Sequence, residues 1–159
     1  MGDEKKRVPE QAVKALRRAL GDRLVAVVLF GSRARGDARP DSDWDLLVIA
    51  EQLPEGYWDR HRSIREALRD GRCAGVSVVA KTPTEFESYL APLYLDIALD
   101  GQLLFDRNGY ARGKLNELRR IIQRAGLFRE RTEAGDIWRW KQEPARPWAV
   151  NWEGHGATD

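Results

Sequence analysis

Phe30-Gly-Ser-Arg-Ala-Arg-Gly-Asp-Ala-Arg-Pro-Asp-Ser-Asp-Trp-Asp-Leu-Leu-Val48 is the stretch on which the reading of this chain turns. It begins at the end of a short apolar run, Leu24 to Phe30, rich in valine and with no polar break. A run of that length and composition is a strand buried on both faces. Gly31 then lets the backbone turn and lets a bulky group come close. Ser32 carries a hydroxyl that is expected to cap the helix after it, and free N–H groups at a helix start favour a phosphate. The polar segment that follows holds Gly36 and Pro40 and ends at Asp43. Asp45 opens a second buried run through Ala50.

Asp43 and Asp45 are two apart, so on a strand their carboxylates project from one face, with Trp44 and Leu46 on the other. Two carboxylates on one face are costly without a cation. Mg²⁺ suits such a pair, because it takes one or two carboxylates and completes its shell with water and substrate phosphate. Two such ions can clamp both oxygens of an in-line phosphoryl displacement. Arg33 or Arg35 would then offset phosphate charge.

Rival motifs fail on particular residues. A P-loop shares the spacing from Gly31 to Gly36 but requires Lys and then Ser or Thr, where this chain has Asp37-Ala38. A calcium loop starting at Asp41 would need glycine at Leu46 and glutamate at Gln52. No G-x-G-x-x-G run is present.

Working outward, Val8, Ala12, Leu16 and Leu20 recur at helical spacing, so residues 8–20 are expected to be an amphipathic helix that Gly21 ends. Tyr57 to Arg69 reads as a second helix, and Gly75 to Ala80 as a third strand. Thr82-Pro83-Thr84-Glu85 has the spacing of a capping box with proline at the first helical position. Its helix should end near Tyr89 or Leu90, with a new one from Pro92 to Leu99. A short strand at 103–105 and a helix at 114–124 follow. Residues 127–141 form an expected hairpin turning at Ala134-Gly135. The tail after Pro144 shows no period. Alternating strands and helices give an α/β or α+β class with a mixed sheet.

The 159 residues are 42% hydrophobic, enough for one core. Charged residues make up 33% yet nearly cancel, to +2. No basic block exceeds Lys5-Lys6-Arg7, so specific nucleic-acid binding is not expected and a small anionic ligand is. Cys73 is the only cysteine, which excludes an intrachain disulfide and a cysteine-rich zinc site. No apolar run is long enough for a bilayer, and the first residues lack a signal core, so a cytoplasmic protein is expected. His61 and His155 read as solvated, and Cys73 as structural. Arg119, Arg120, Arg124, Arg129 and Arg131 read as outer faces first and as phosphate contacts second. Trp138 and Trp140 share one strand face, which requires burial against the body, a second subunit or a partner; Trp148 and Trp152 lie in the tail.

Gly31-Ser32-x-x-Arg35-Gly36-x(5)-Ser42-Asp43-x-Asp45 resembles the minimal nucleotidyltransferases of the DNA polymerase β superfamily. The resemblance is specific across 24–50 and looser to about 105, through Leu95-Asp96-Ile97 and Asp100-Gly101-x-Leu103-Leu104-Phe105-Asp106. It implies a nucleotidyltransferase fold over 1–108, with residues 109–159 as a C-terminal helix, hairpin and aromatic tail packed on the core or a partner. It implies Mg²⁺-dependent transfer of a nucleoside monophosphate from ATP or another triphosphate to a protein or small acceptor. Asp43 and Asp45 would bind the metals and act in catalysis, with Gly31, Ser32, Arg33, Arg35 and Ser42 on the nucleotide. Some members are antitoxins that nucleotidylate a helical HEPN-type toxin, and the alternative reading is a catalytically degenerate nucleotide-binding or interaction module such as that antitoxin; a homodimer would be a second way to cover the face of Trp138 and Trp140. The family usually carries a third carboxylate on the next core strand. Ser77 aligns there, so that position is degenerate, and Glu85, Glu87 or Asp96 would have to reach in as a substitute.

Overall fold

The computed structural model describes residues 2–70, 73–145 and 148–157. Helix α1 (Gly2–Leu20) leads into β1 (Leu24–Phe30), a short helix α2 (Gly31–Arg35) and β2 (Trp44–Ala50). Then come α3 (Tyr57–Asp70), β3 (Val76–Lys81), α4 (Pro83–Ser88), α5 (Pro92–Asp100) and β4 (Gln102–Asp106). The chain continues through α6 (Tyr110–Ala125), the hairpin β5 (Leu127–Thr132) and β6 (Gly135–Trp140), and a second hairpin, β7 (Trp148–Asn151) and β8 (Gly154–Ala157).

The four-stranded sheet has the order β3-β2-β1-β4. Strand β2 is antiparallel to β1 and parallel to β3, and β4 is antiparallel to β1, so the sheet is mixed as expected. Its two central strands are apolar but for Asp45, near the start of β2, because both faces are covered. On one face Leu24, Val27, Leu46 and Val48 meet Ala12 and Leu16 of α1 and Ile64 and Leu68 of α3. On the other, Val28, Leu47 and Ile49 meet Phe86 of α4, Tyr94 and Ile97 of α5, and Leu115 and Leu118 of α6. The helix over 114–124 starts earlier than its apolar stripe, at Tyr110, because the Asp106 carboxylate accepts hydrogen bonds from the Ala111 and Arg112 N–H groups, at 2.8 and 3.0 Å. Likewise α1 begins at Gly2, ahead of its predicted start, and carries Pro9 within it.

The capping box forms as read: Glu85 N–H donates to the Thr82 hydroxyl and Thr82 N–H to the Glu85 carboxylate. Glu85 has a second task. Arg60 of α3 grips both its oxygens, at 2.7 and 2.8 Å, and also donates to the Pro54 and Ala80 carbonyls. One guanidinium therefore ties together the turn after β2, the end of β3 and the start of α4. This pairing holds the Glu85 carboxyl at about 2, below its ordinary 4.5. An acid with a depressed folded value adds stability above pH 4.5 and loses it as the pH falls toward 2. Arg60→Ala is expected to cost about 2–3 kcal/mol, since it removes two hydrogen bonds to backbone carbonyls and two to the Glu85 carboxylate. Denaturant titrations at pH 7 and pH 3 check this: the gap between wild type and variant should narrow at the lower pH.

Trp138 and Trp140 are half-buried, packed against the core that α5 and α6 share. The tail contains the second hairpin, which the sequence pattern did not reveal. Trp152, in its turn, donates from Nε1 to the Phe86 carbonyl at 3.0 Å and packs edge-on against the Phe86 ring. The side chains of Trp148 and His155 lie outside the described residues. Among the described residues, no helix is long and apolar enough to cross a membrane.

Candidate active site

The site lies where β1 and β2 end side by side. Their antiparallel register pairs Phe30 with Asp45, so Gly31 stands next to the Asp45 carboxylate although the two are distant in sequence. Gly31 has φ +73°, and a Cβ there would crowd Asp45, whose Cγ would be only 3.2 Å away. The glycine thus serves two needs: a left-handed turn and room for a carboxylate. Helix α2 starts at Gly31 with Phe30 as its N-cap and no side-chain cap. This corrects the expectation that Ser32 caps the helix: Ser32 lies inside the first turn, and its carbonyl accepts the Gly36 and Asp37 N–H groups.

Asp45 is half-buried on the β2 face that carries Leu47 and Ile49, and Trp44 is on the opposite one, as the strand period requires. Burial pushes the Asp45 carboxyl up, the negative charge of Asp43 pushes it further, and Arg35 pulls it down. Asp43 and Arg35 are therefore close enough to act on it electrostatically. Neither Asp43 nor Asp45 has a hydrogen-bond or ion-pair partner among the described residues. Two like charges near each other, offset only by Arg35 and holding no hydrogen-bond or ion-pair partner among the described residues, are a donor set that fits a divalent cation and phosphate.

Ser77 of β3 is the direct register partner of Asp45 and is exposed. Paired residues of parallel strands point to the same face, about 4.8 Å apart. Position 77 is therefore where a third carboxylate would converge, and it holds a neutral hydroxyl. None of the three proposed substitutes stands free. Glu85 is bound by Arg60, Glu87 accepts from Tyr110 and pairs with Lys114 at 2.9 Å, and Asp96 accepts from Arg129 and from Trp138 Nε1. Among the described residues, no group of three or more His, Cys, Asp or Glu side chains is placed to hold a metal ion.

The predicted phosphate residues divide. Arg35 lines a cavity of about 690 Å³ together with Gly31 and Phe30. Arg33 instead braces the loop: it donates to the Ser42 carbonyl at 2.8 Å and the Pro40 carbonyl at 3.2 Å, and stacks on the Trp44 ring at 4.6 Å. The Ser42 hydroxyl accepts the Arg39 N–H at 2.8 Å, so it too shapes the loop that delivers Asp43. The far wall of the cavity comes from α5 and the first hairpin, through Asp96, Asp100, Arg131 and Asp136. Sequence reasoning singled out Asp96 and Arg131 only; Asp100 and Asp136 enter because the hairpin docks on α5, which no local pattern announces. His61 is remote from this chemistry, stacked on Tyr57 on an exposed face of α3.

A family model described as a nucleotidyltransferase domain matches residues 10–102. A Methanocaldococcus jannaschii protein that carries the name protein adenylyltransferase is 32% identical over 121 residues, 72% of this chain and 81% of its own. In structure, a toxin–antitoxin complex crystallised with AMP-PNP gives a TM-score of 0.55 at 20% identity, over 73% of this chain and 87% of the matched one. A chain from the complex of a tri-AMPylated Shewanella oneidensis HEPN toxin with an MNT antitoxin gives 0.51 at 18% identity, over 74% and 85%. At these identities the structural matches speak for the fold.

Proposed function

This chain belongs to the nucleotidyltransferase domain family, and on that premise we propose that it transfers AMP from ATP to a hydroxyl group of a partner protein. The observation that carries the reading is the pair Asp43 and Asp45: near enough to raise the Asp45 carboxyl, without a hydrogen-bond or ion-pair partner among the described residues, and beside a glycine that makes room for the Asp45 carboxylate. ATP and a protein acceptor are favoured by the name of the M. jannaschii relative and by the AMP-PNP and AMPylated-toxin complexes of the structural matches. A HEPN-type toxin is the first acceptor to test.

In the proposed reaction the acceptor oxygen bonds to the α-phosphorus, the bond from that phosphorus to the bridging oxygen breaks, and pyrophosphate leaves. Asp43 and Asp45 would hold Mg²⁺, which neutralises charge on the α-phosphate and on the departing pyrophosphate. Arg35 offsets phosphate charge from the cavity wall, and Gly31 keeps the backbone clear of the ligand. With no carboxylate at position 77 to take it, the acceptor's proton passes to water as the new bond forms, so turnover should be slow. This departure favours a second reading, in which the chain acts chiefly by binding nucleotide and partner.

Transfer of label from α-labelled ATP to an acceptor, with Mg²⁺ present, tests the proposal; calorimetry with each triphosphate tests the binding beneath it. Binding without transfer would leave the second reading standing, and no binding of any triphosphate would end both. Ser77→Asp discriminates further. It should lower the melting temperature of the free protein, because it adds a third like charge next to Asp45, and raise Mg²⁺ affinity and transfer rate by about tenfold. An unchanged Mg²⁺ titration of the folded variant would show that position 77 is not where the missing ligand belongs.

A further inference from the structure

The β5–β6 hairpin lies beyond the segment 10–102 that defines the family, yet it supplies one wall of the cavity. Its inner face is a row of paired residues: Leu127 with Trp140, Arg129 with Trp138, and Arg131 with Asp136. Strand period makes the row run outward from the core in even steps. Leu127 is buried in the core. Arg129, 16% exposed, is consumed by carboxylates: Asp100 at 2.5 and 3.0 Å, Asp96 at 3.3 Å and Asp136 at 3.6 Å. Arg131, 67% exposed, is the next residue in the row and lines the cavity together with Arg35. The clamp on Arg129 thus fixes the strand that presents Arg131.

Among the described residues, Arg131 holds only two long contacts, to Asp136 and to Asp37, each at 3.5 Å. The same Asp37 oxygen, Oδ2, also faces Arg35 Nε at 3.2 Å. A single anionic oxygen is bracketed by two guanidinium groups, one from the family segment and one from the hairpin. Such a forked arrangement matches a phosphoryl oxygen as well as a carboxylate. Asp37 is 42% exposed, on the loop just after α2, and can swing out without disturbing the core.

We propose that Arg131 is a ligand of the nucleotide's polyphosphate, and that the Asp37 carboxylate holds its place between Arg35 and Arg131 until a phosphoryl oxygen displaces it. This rests on the nucleotide-binding reading above. It makes the hairpin part of the binding site and assigns Asp37 the role of a built-in competitor.

The test is calorimetric binding of Mg-ATP and of Mg-tripolyphosphate to the full chain as wild type, Arg131→Ala, Arg131→Lys and Asp37→Ala, with a melting curve for each. Removing Arg131 should weaken both ligands about tenfold, with partial recovery in the lysine variant. Removing Asp37 should tighten both about threefold, an advantage that shrinks when Arg131 is also absent. Melting temperatures should stay near wild type, because long contacts at an exposed side chain add little stability. Unchanged affinity for both ligands in folded Arg131→Ala overturns the proposal while leaving the nucleotide-binding reading intact. Weaker ATP with unchanged tripolyphosphate also overturns it, since Arg131 would then touch the nucleoside. If wild type binds neither ligand, both readings fall together.

Discussion

Asp45→Asn is expected to reduce nucleotidyl transfer by about a thousandfold and, at the same time, to make the free protein more stable. The first effect follows from losing a metal ligand whose charge stabilisation amounts to several kcal/mol. The second follows from the site's electrostatics. Burial and the Asp43 charge raise the Asp45 carboxyl above its ordinary value, so the folded chain disfavours the charged form. For an acid whose folded value is raised, the cost is present at neutral pH and fades as the pH falls through that value. The variant should therefore melt above wild type at pH 7.5 without Mg²⁺, and the difference should vanish in acid. Adding Mg²⁺ and triphosphate should reverse the order, since only wild type gains from binding them. Calorimetric melting at two pH values, with and without ligand, checks all of this. A variant that melts below wild type at pH 7.5 would mean that Asp45 is structurally satisfied, and the metal reading would lose its basis.

Gly31→Ala carries the second large effect. The new methyl group meets the Asp45 carboxylate, and the backbone there has φ +73°, which disfavours any side chain. The strain alone costs about 1–2 kcal/mol. Displacing the carboxylate by even part of an ångström is expected to cost about a hundredfold in transfer. Gly36→Ala separates the two causes. Gly36 has φ +84° but nothing within 4 Å of its would-be Cβ. It should lose comparable stability by denaturant titration and keep most of its activity. Equal activity losses in the two variants would show that the backbone turn matters and the crowding of Asp45 does not.

What could be read from the sequence was whatever depends on neighbours along the chain. The burial of β1 and β2 shows in their apolar runs, and the capping box in the spacing of Thr82 and Glu85; Asp43, read as part of the second strand, lies in the loop just before it. The parallel register that sets Ser77 beside Asp45 is also close to legible, because β3 offers no acidic residue in any register. Long-range docking was not legible. Arg129 and Arg131 have the same local setting, yet one is walled in by three aspartates and the other faces the cavity. The choice depends on where the hairpin meets α5. Arg33 misled for a related reason: its position beside the glycine turn suits a phosphate, but the carbonyls of Pro40 and Ser42 reach it first. The β7–β8 hairpin was hidden because its strands are four residues each, too short to show a period.

The pairing of Phe30 with Asp45 divides labour between ladder and loop. Inter-strand hydrogen bonds, and not the intervening polypeptide, set the spacing of glycine and carboxylate. The distance from Gly31 to the Asp45 carboxylate is thus insensitive to the length of residues 36–42, since doubling a loop costs only about 0.6 kcal/mol, whereas the place of Asp43 depends on the contacts that Arg33 and Ser42 make within that loop.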